Sequence, residues 1–186
     1  MTATSLMYRR AVSTDNTASS WTVKIPTATE PSFSPTSCIG PVWWLRDPNL
    51  DIGVSGKVPK FLNIVPYGTT TNNQTFSVRV WGWNRMPLIT TPLWIPTLLV
   101  ELVGTLSSAI DATALSTSGL GCDTITATYG ATDEKTLGVS LISPTTDIGQ
   151  ASALVHLRGA EYIEFAFNTG ASAVSMNALW RCMDQD

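Results

Sequence analysis

The segment Thr75 to Arg85 carries the clearest pattern in the chain. Phe76, Val78 and Val80 alternate with Thr75, Ser77 and Arg79, a period of two that predicts a half-buried β-strand. Leu98 to Leu106 is apolar at nearly every position. Pro92 and Pro96 ahead of it and Gly104 within it favour a strand covered on both faces over a helix. Farther on, Glu161 to Phe167 alternates with Ile163, Phe165 and Phe167 on one side. It is followed by Asn168-Thr169-Gly170-Ala171-Ser172 and by Val174 to Cys182, where Val174, Met176, Ala178, Trp180 and Cys182 share a face. This arrangement predicts a hairpin across that loop.

Shorter strand signals fall at Trp21–Ile25, Val42–Arg46, Phe61–Val65, Asp123–Tyr129, Thr136–Ile142 and Leu154–Arg158, and a short helix is predicted at Ser107–Leu115. No other segment holds helical spacing for three turns. Many short strands in a chain of 186 residues predict one all-β domain: an antiparallel β-sandwich or jelly-roll-like barrel, preceded by an extended N-terminal arm. The arm spans residues 1–37, including the candidate strand 21–25, and the sandwich spans 38–186. Residues 1–20 and 27–37 are polar, rich in Ser, Thr and Pro and poor in core formers. An arm of that composition is expected to lie on a neighbouring subunit or a partner surface.

Composition narrows the function. Only 13% of residues are charged and the net charge is −3, so the chain offers no cationic field for gripping nucleic acid through its phosphates. Neither a secretory signal at the start nor an uninterrupted apolar run of membrane-spanning length is present, and synthesis in a cytoplasm is the expectation. Cys38, Cys122 and Cys182 are odd in number and widely separated, which favours buried free thiols over a disulfide framework or zinc site.

Catalysis finds little support. The lone histidine, His156, sits within the alternating run Leu154-Val155-His156-Leu157, and no GxSxG elbow, P-loop or HExxH motif accompanies it. A strand histidine is the better reading, and neither a catalytic residue nor a cofactor is expected. Asp47-Pro48-Asn49-Leu50-Asp51-Ile52-Gly53 starts like a calcium loop, but Ile52 stands where glycine is needed and Val58 where a bidentate Glu is needed. A turn accounts for it better.

The most telling run is Arg79-Val80-Trp81-Gly82-Trp83-Asn84-Arg85. In a strand, Arg79, Trp81, Trp83 and Arg85 share the face opposite Phe76, Val78 and Val80, where indoles and guanidinium groups can stack. If the next segment folds back around Thr90, Glu101 falls opposite Arg79 and Leu99 opposite Trp81, which neutralises Glu101. Trp and Arg dominate interface hot spots. Two readings of this face stand: it is covered by a second layer as core, or it is a subunit interface. The candidate interface residues are Arg79, Trp81, Trp83, Arg85 and Glu101, with Tyr8, Arg9 and Arg10 of the arm. Trp43 and Trp44 are expected on opposite faces of their strand.

Two pairs of blocks carry a family resemblance. Phe76-Ser77-Val78-Arg79-Val80-Trp81-Gly82-Trp83 is followed by Leu93-Trp94-Ile95-Pro96-Thr97-Leu98-Leu99-Val100-Glu101-Leu102. Gly159-Ala160-Glu161-Tyr162-Ile163-Glu164-Phe165 is followed by Ser175-Met176-Asn177-Ala178-Leu179-Trp180-Arg181. These resemble the capsid decoration, or cement, proteins of tailed bacteriophages. The resemblance implies a β-barrel or jelly-roll body with an arm and no catalytic residues. It further implies a homo-oligomer, a trimer ahead of a dimer, clamped over the major capsid protein on the virion surface after synthesis in the bacterial host cytoplasm. Binding the assembled lattice in preference to free subunits would stabilise the shell by mass action. The competing expectation is a carbohydrate- or receptor-binding sandwich that uses Trp81 and Trp83 as a stacking platform.

Overall fold

A computed structural model describes residues 9–12, 42–45, 59–69, 75–86, 93–111, 120–128, 139–142, 151–168 and 175–183. Within them run ten strands and no helix: β1 (Arg9–Val12), β2 (Val42–Trp44), β3 (Phe61–Thr69), β4 (Thr75–Met86), β5 (Leu93–Asp111), β6 (Leu120–Thr128), β7 (Val139–Ile142), β8 (Ser152–His156), β9 (Tyr162–Asn168) and β10 (Ser175–Met183). Every pairing is antiparallel. One edge of β3 takes β10 along its whole length. The other edge is divided: Phe61–Ile64 pair with β8, and Gly68 alone pairs with Leu120 of β6. That single pair is the seam between two five-stranded layers, β1-β10-β3-β8-β7 and β6-β5-β4-β9-β2.

The pairing is nested. β1 pairs with β10, β2 with β9, β3 with β8 and β4 with β5, as if one long hairpin had been rolled up. This is the jelly-roll order, with β6 and β7 added on the outside of β5 and β8. The all-β sandwich expected from the alternating pattern is the fold observed.

The core lies between the layers and is assembled from the inward residues of both. Phe76, Val78, Val80, Leu102, Ile163, Phe165 and Phe167 of one sheet meet Leu62, Ile64, Val155, Ala178 and Trp180 of the other. Trp180 is fully buried; its ring meets Trp43 edge-on at 5.0 Å between centroids and lies 6.1 Å from Phe165. Cys122 and Cys182 are buried in the same core.

Several local expectations are corrected. β9 and β10 do not form a hairpin: β9 pairs with β4 and β2, β10 with β3 and β1. Their shared apolar pattern reflects packing across the sandwich, Phe165 against Trp180, and not pairing within one sheet. The helix expected over Ser107–Leu115 is contradicted as far as Asp111, because β5 runs through to that residue with Ser107 opposite Gly121. The first four described residues, Arg9–Val12, carry no strong strand signal, yet they pair with Val12 opposite Asn177 and Arg9 opposite Trp180. Over that stretch the arm lies on the chain's own sheet. The candidate strand 21–25 and the Asp47–Gly53 loop fall outside the described residues.

Candidate interaction face

β4 is a middle strand, with β5 on one edge and β9 on the other. Phe76, Val78 and Val80 point into the sandwich, so Arg79, Trp81 and Trp83 stand on the outward face of the sheet. Arg79 and Glu101 are opposite each other in register, and Arg79 Nε donates to Glu101 Oε2 at 2.9 Å. Both are half-buried. Trp81 is opposite Leu98, not Leu99, because a β-bulge falls between Val80 and Trp81. The extra residue on β5 turns both Leu99 and Val100 into the core. Leu99 fills the space over Gly82, where an added Cβ would lie 3.0 Å from Ala160 Cβ and 3.1 Å from Leu99 Cδ1. A side chain there would be tighter than an ordinary van der Waals contact and would require Leu99 or Ala160 to give way.

Beyond the bulge the outward face builds a second, smaller core from Val42, Trp83, Trp94 and Tyr162, with Trp44 packed against it. Tyr162 is its hub. Trp94 meets that ring edge-on at 5.1 Å, and Trp44 stacks on it at 6.4 Å with 27° between planes. The adjacent residues Trp43 and Trp44 therefore serve different cores, as alternation along a strand predicts.

Inside this aromatic layer lies a carboxylate. Glu164 is 8% exposed, placed in register between Val42 of β2 and Trp81 of β4. Trp83 Nε1 donates to its Oε2 at 3.0 Å. Burial pushes the Glu164 carboxyl above its ordinary value, and the indole N–H pulls the other way. Its second oxygen accepts no hydrogen bond from any described residue, and the described residues hold no cation paired with it. Beside it, the Nε1 of Trp81 is buried without a hydrogen-bond partner, although the Trp81 ring is half-exposed.

The eight candidate residues are not one surface. Arg79, Trp81, Trp83 and Glu101 share the outward face, and Arg85 stands exposed toward the end of β4 opposite Trp94. Arg9 and Arg10 pair with β10 in the other sheet, and Tyr8 lies outside the described residues. Trp83 is 3% exposed, so it cannot serve with Trp81 as an open stacking platform. Two members of this face, Glu164 and Tyr162, escaped the sequence reading. The signal was present as an acid in the middle of an otherwise apolar strand, Tyr162-Ile163-Glu164-Phe165.

His156 occupies a structural position. Its Nδ1 accepts the backbone N–H of Arg158 at 2.9 Å, and its ring meets Phe61 edge-on at 5.1 Å. The bond holds the tight turn from β8 to β9, where Arg158 (φ 51°) and Gly159 (φ 76°) both take left-handed backbone. Among the described residues no three potential metal ligands cluster, and no helix is long and apolar enough to cross a membrane. Comparisons with protein-family models, curated proteins and solved structures return no match.

Proposed function

We propose that this chain is a non-enzymatic virion protein that binds the outer surface of an assembled phage capsid and stabilises it by clamping neighbouring capsid subunits. The observation that carries this reading is the outward face of the β6-β5-β4-β9-β2 sheet. It presents half-exposed indoles and an ion pair on a broad sheet surface, a composition suited to adhesion. The jelly-roll order supports it by analogy, since that architecture is frequent among capsid proteins, although a fold alone does not set a function. A footprint across repeated subunits multiplies weak contacts into avidity.

The test is occupancy on purified expanded capsids assembled from the accompanying major capsid protein. The unaltered chain saturates the particles and raises the temperature at which they open. A Trp81→Ala variant with unchanged circular dichroism binds about tenfold or more weakly, as loss of a hot-spot ring implies. Absence of binding by the unaltered chain, or equal occupancy by the variant, overturns the reading.

A further inference from the structure

Buried carboxylates are ordinarily paired with a cation or bound to a metal, because removing the charge from water is otherwise costly. Glu164 is an exception among the described residues. It is almost fully buried, takes one hydrogen bond from Trp83 and meets no described cation. The indole bond does not require a charge, since a glutamine carbonyl would accept it equally well. Nor do the described residues suit a metal, because among them the site offers one carboxylate and no neighbouring ligand set.

What surrounds the carboxylate is aromatic. Trp81 is its cross-strand neighbour, Trp83 is its hydrogen-bond donor, and Tyr162 stands two residues along the same face with Trp44 stacked upon it. Rings around an anion favour a cation twice: their faces attract it, and the carboxylate completes the pair. Trp44 and Trp81 are half-buried, so part of the layer's surface reaches solvent at these two residues. The negative charge sets the sign of the occupant, and the flat indole faces suit a guanidinium better than a compact ammonium.

We propose that Glu164, with Trp81, Trp83 and Trp44, forms a socket for an arginine side chain presented by a partner protein. The socket itself stands apart from the capsid reading, which supplies only the identity of the partner. Arg79, on the same face, is paired with Glu101, and no ion pair joins it to Glu164.

The experiment titrates the full chain with N-acetyl-arginine amide while following tryptophan emission, and repeats it with N-acetyl-citrulline amide, its neutral isostere. Saturable binding is expected, with arginine preferred by about tenfold, as expected where a charge-assisted pair replaces a neutral one. Glu164→Gln, which keeps an acceptor for Trp83, should erase the preference. Equal binding of the two probes, no saturation, or a preference that survives Glu164→Gln overturns the socket. The probe comparison on the unaltered chain decides the matter even if the variant folds poorly. A failure to occupy capsids while the arginine preference persists would instead remove only the capsid reading.

Discussion

Two aromatic assemblies occupy opposite faces of the same sheet, and they differ in kind. The inner one, where Trp43, Phe165 and Trp180 meet between the sheets, is buried and holds no charged group, although the Trp180 Nε1 lies buried in it without a hydrogen-bond partner. The outer one, centred on Tyr162, Trp83 and Trp94, encloses a carboxylate and has half-exposed rings along its border. Both are built from neighbouring residues of the same strands, for Trp43 and Trp44 differ by one position and so do Ile163 and Glu164. The inner assembly contributes folding free energy by removing apolar surface from water. The outer assembly buries a charge that a purely structural layer would replace by a neutral group.

The contrast can be broken most forcefully at its inner member. Trp180→Ala removes a fully buried ring that contacts both Trp43 and Phe165. A loss of about 3–5 kcal/mol is expected, measurable by urea denaturation. A loss below about 1 kcal/mol would mean that the inner rings do not hold the sheets together.

At the outer member the chemistry is different. Trp83→Phe preserves most of the ring but deletes the donor to Glu164 Oε2, leaving a buried acceptor without its partner. A destabilisation of about 1–3 kcal/mol is expected for such an orphaned group. Glu164→Gln should act in the opposite direction at neutral pH. Burial holds the Glu164 carboxyl above its ordinary value, so the folded state binds the proton more tightly than the unfolded chain. The unaltered protein therefore loses stability as pH rises from the unfolded value through the folded one, and the glutamine variant does not. Melting curves at several pH values should show the variant gaining on the unaltered chain as pH increases, and a parallel pair of curves would contradict the assignment.

The smallest effect belongs to Arg79 and Glu101. Their ion pair is partly exposed and screened, and a double-mutant cycle should return about 0.2–1 kcal/mol, decreasing with added salt.

What the sequence made legible follows the range of the interactions involved. The alternating faces of β4, the Arg79–Glu101 pairing and the separation of Trp43 from Trp44 depend on period and hairpin register, both local properties. The bulge that places Leu98 beside Trp81 was hidden, because it is set by how Leu99 packs over Gly82 against Ala160, far along the chain. The β9–β10 hairpin was misread for a similar reason. Two alternating segments joined by a short polar loop look the same whether they pair side by side or cross between layers, and here the partners β3 and β4 claim them. Ser107–Asp111 joined β5 against local expectation because pairing with β6 outweighed weak helical spacing. Glu164 was visible as an oddity but not as a site. Its meaning depends on Val42, Trp81 and Trp83, which two other strands, β2 and β4, bring around it.

The rolled-up pairing also governs how the molecule comes into being. Arg9 and Trp180, joined across β1 and β10, are 171 residues apart in sequence, and Val42 of β2 and Glu164 of β9 are 122 apart. On the ribosome each early strand emerges well before its mate has been translated. Such high contact order makes for slow folding, on the order of milliseconds to seconds once the last strand is free. Until then the unpaired edges of β3 and β4 face solvent, and the newborn chain is open to misassociation at the stage when its copies are most crowded together.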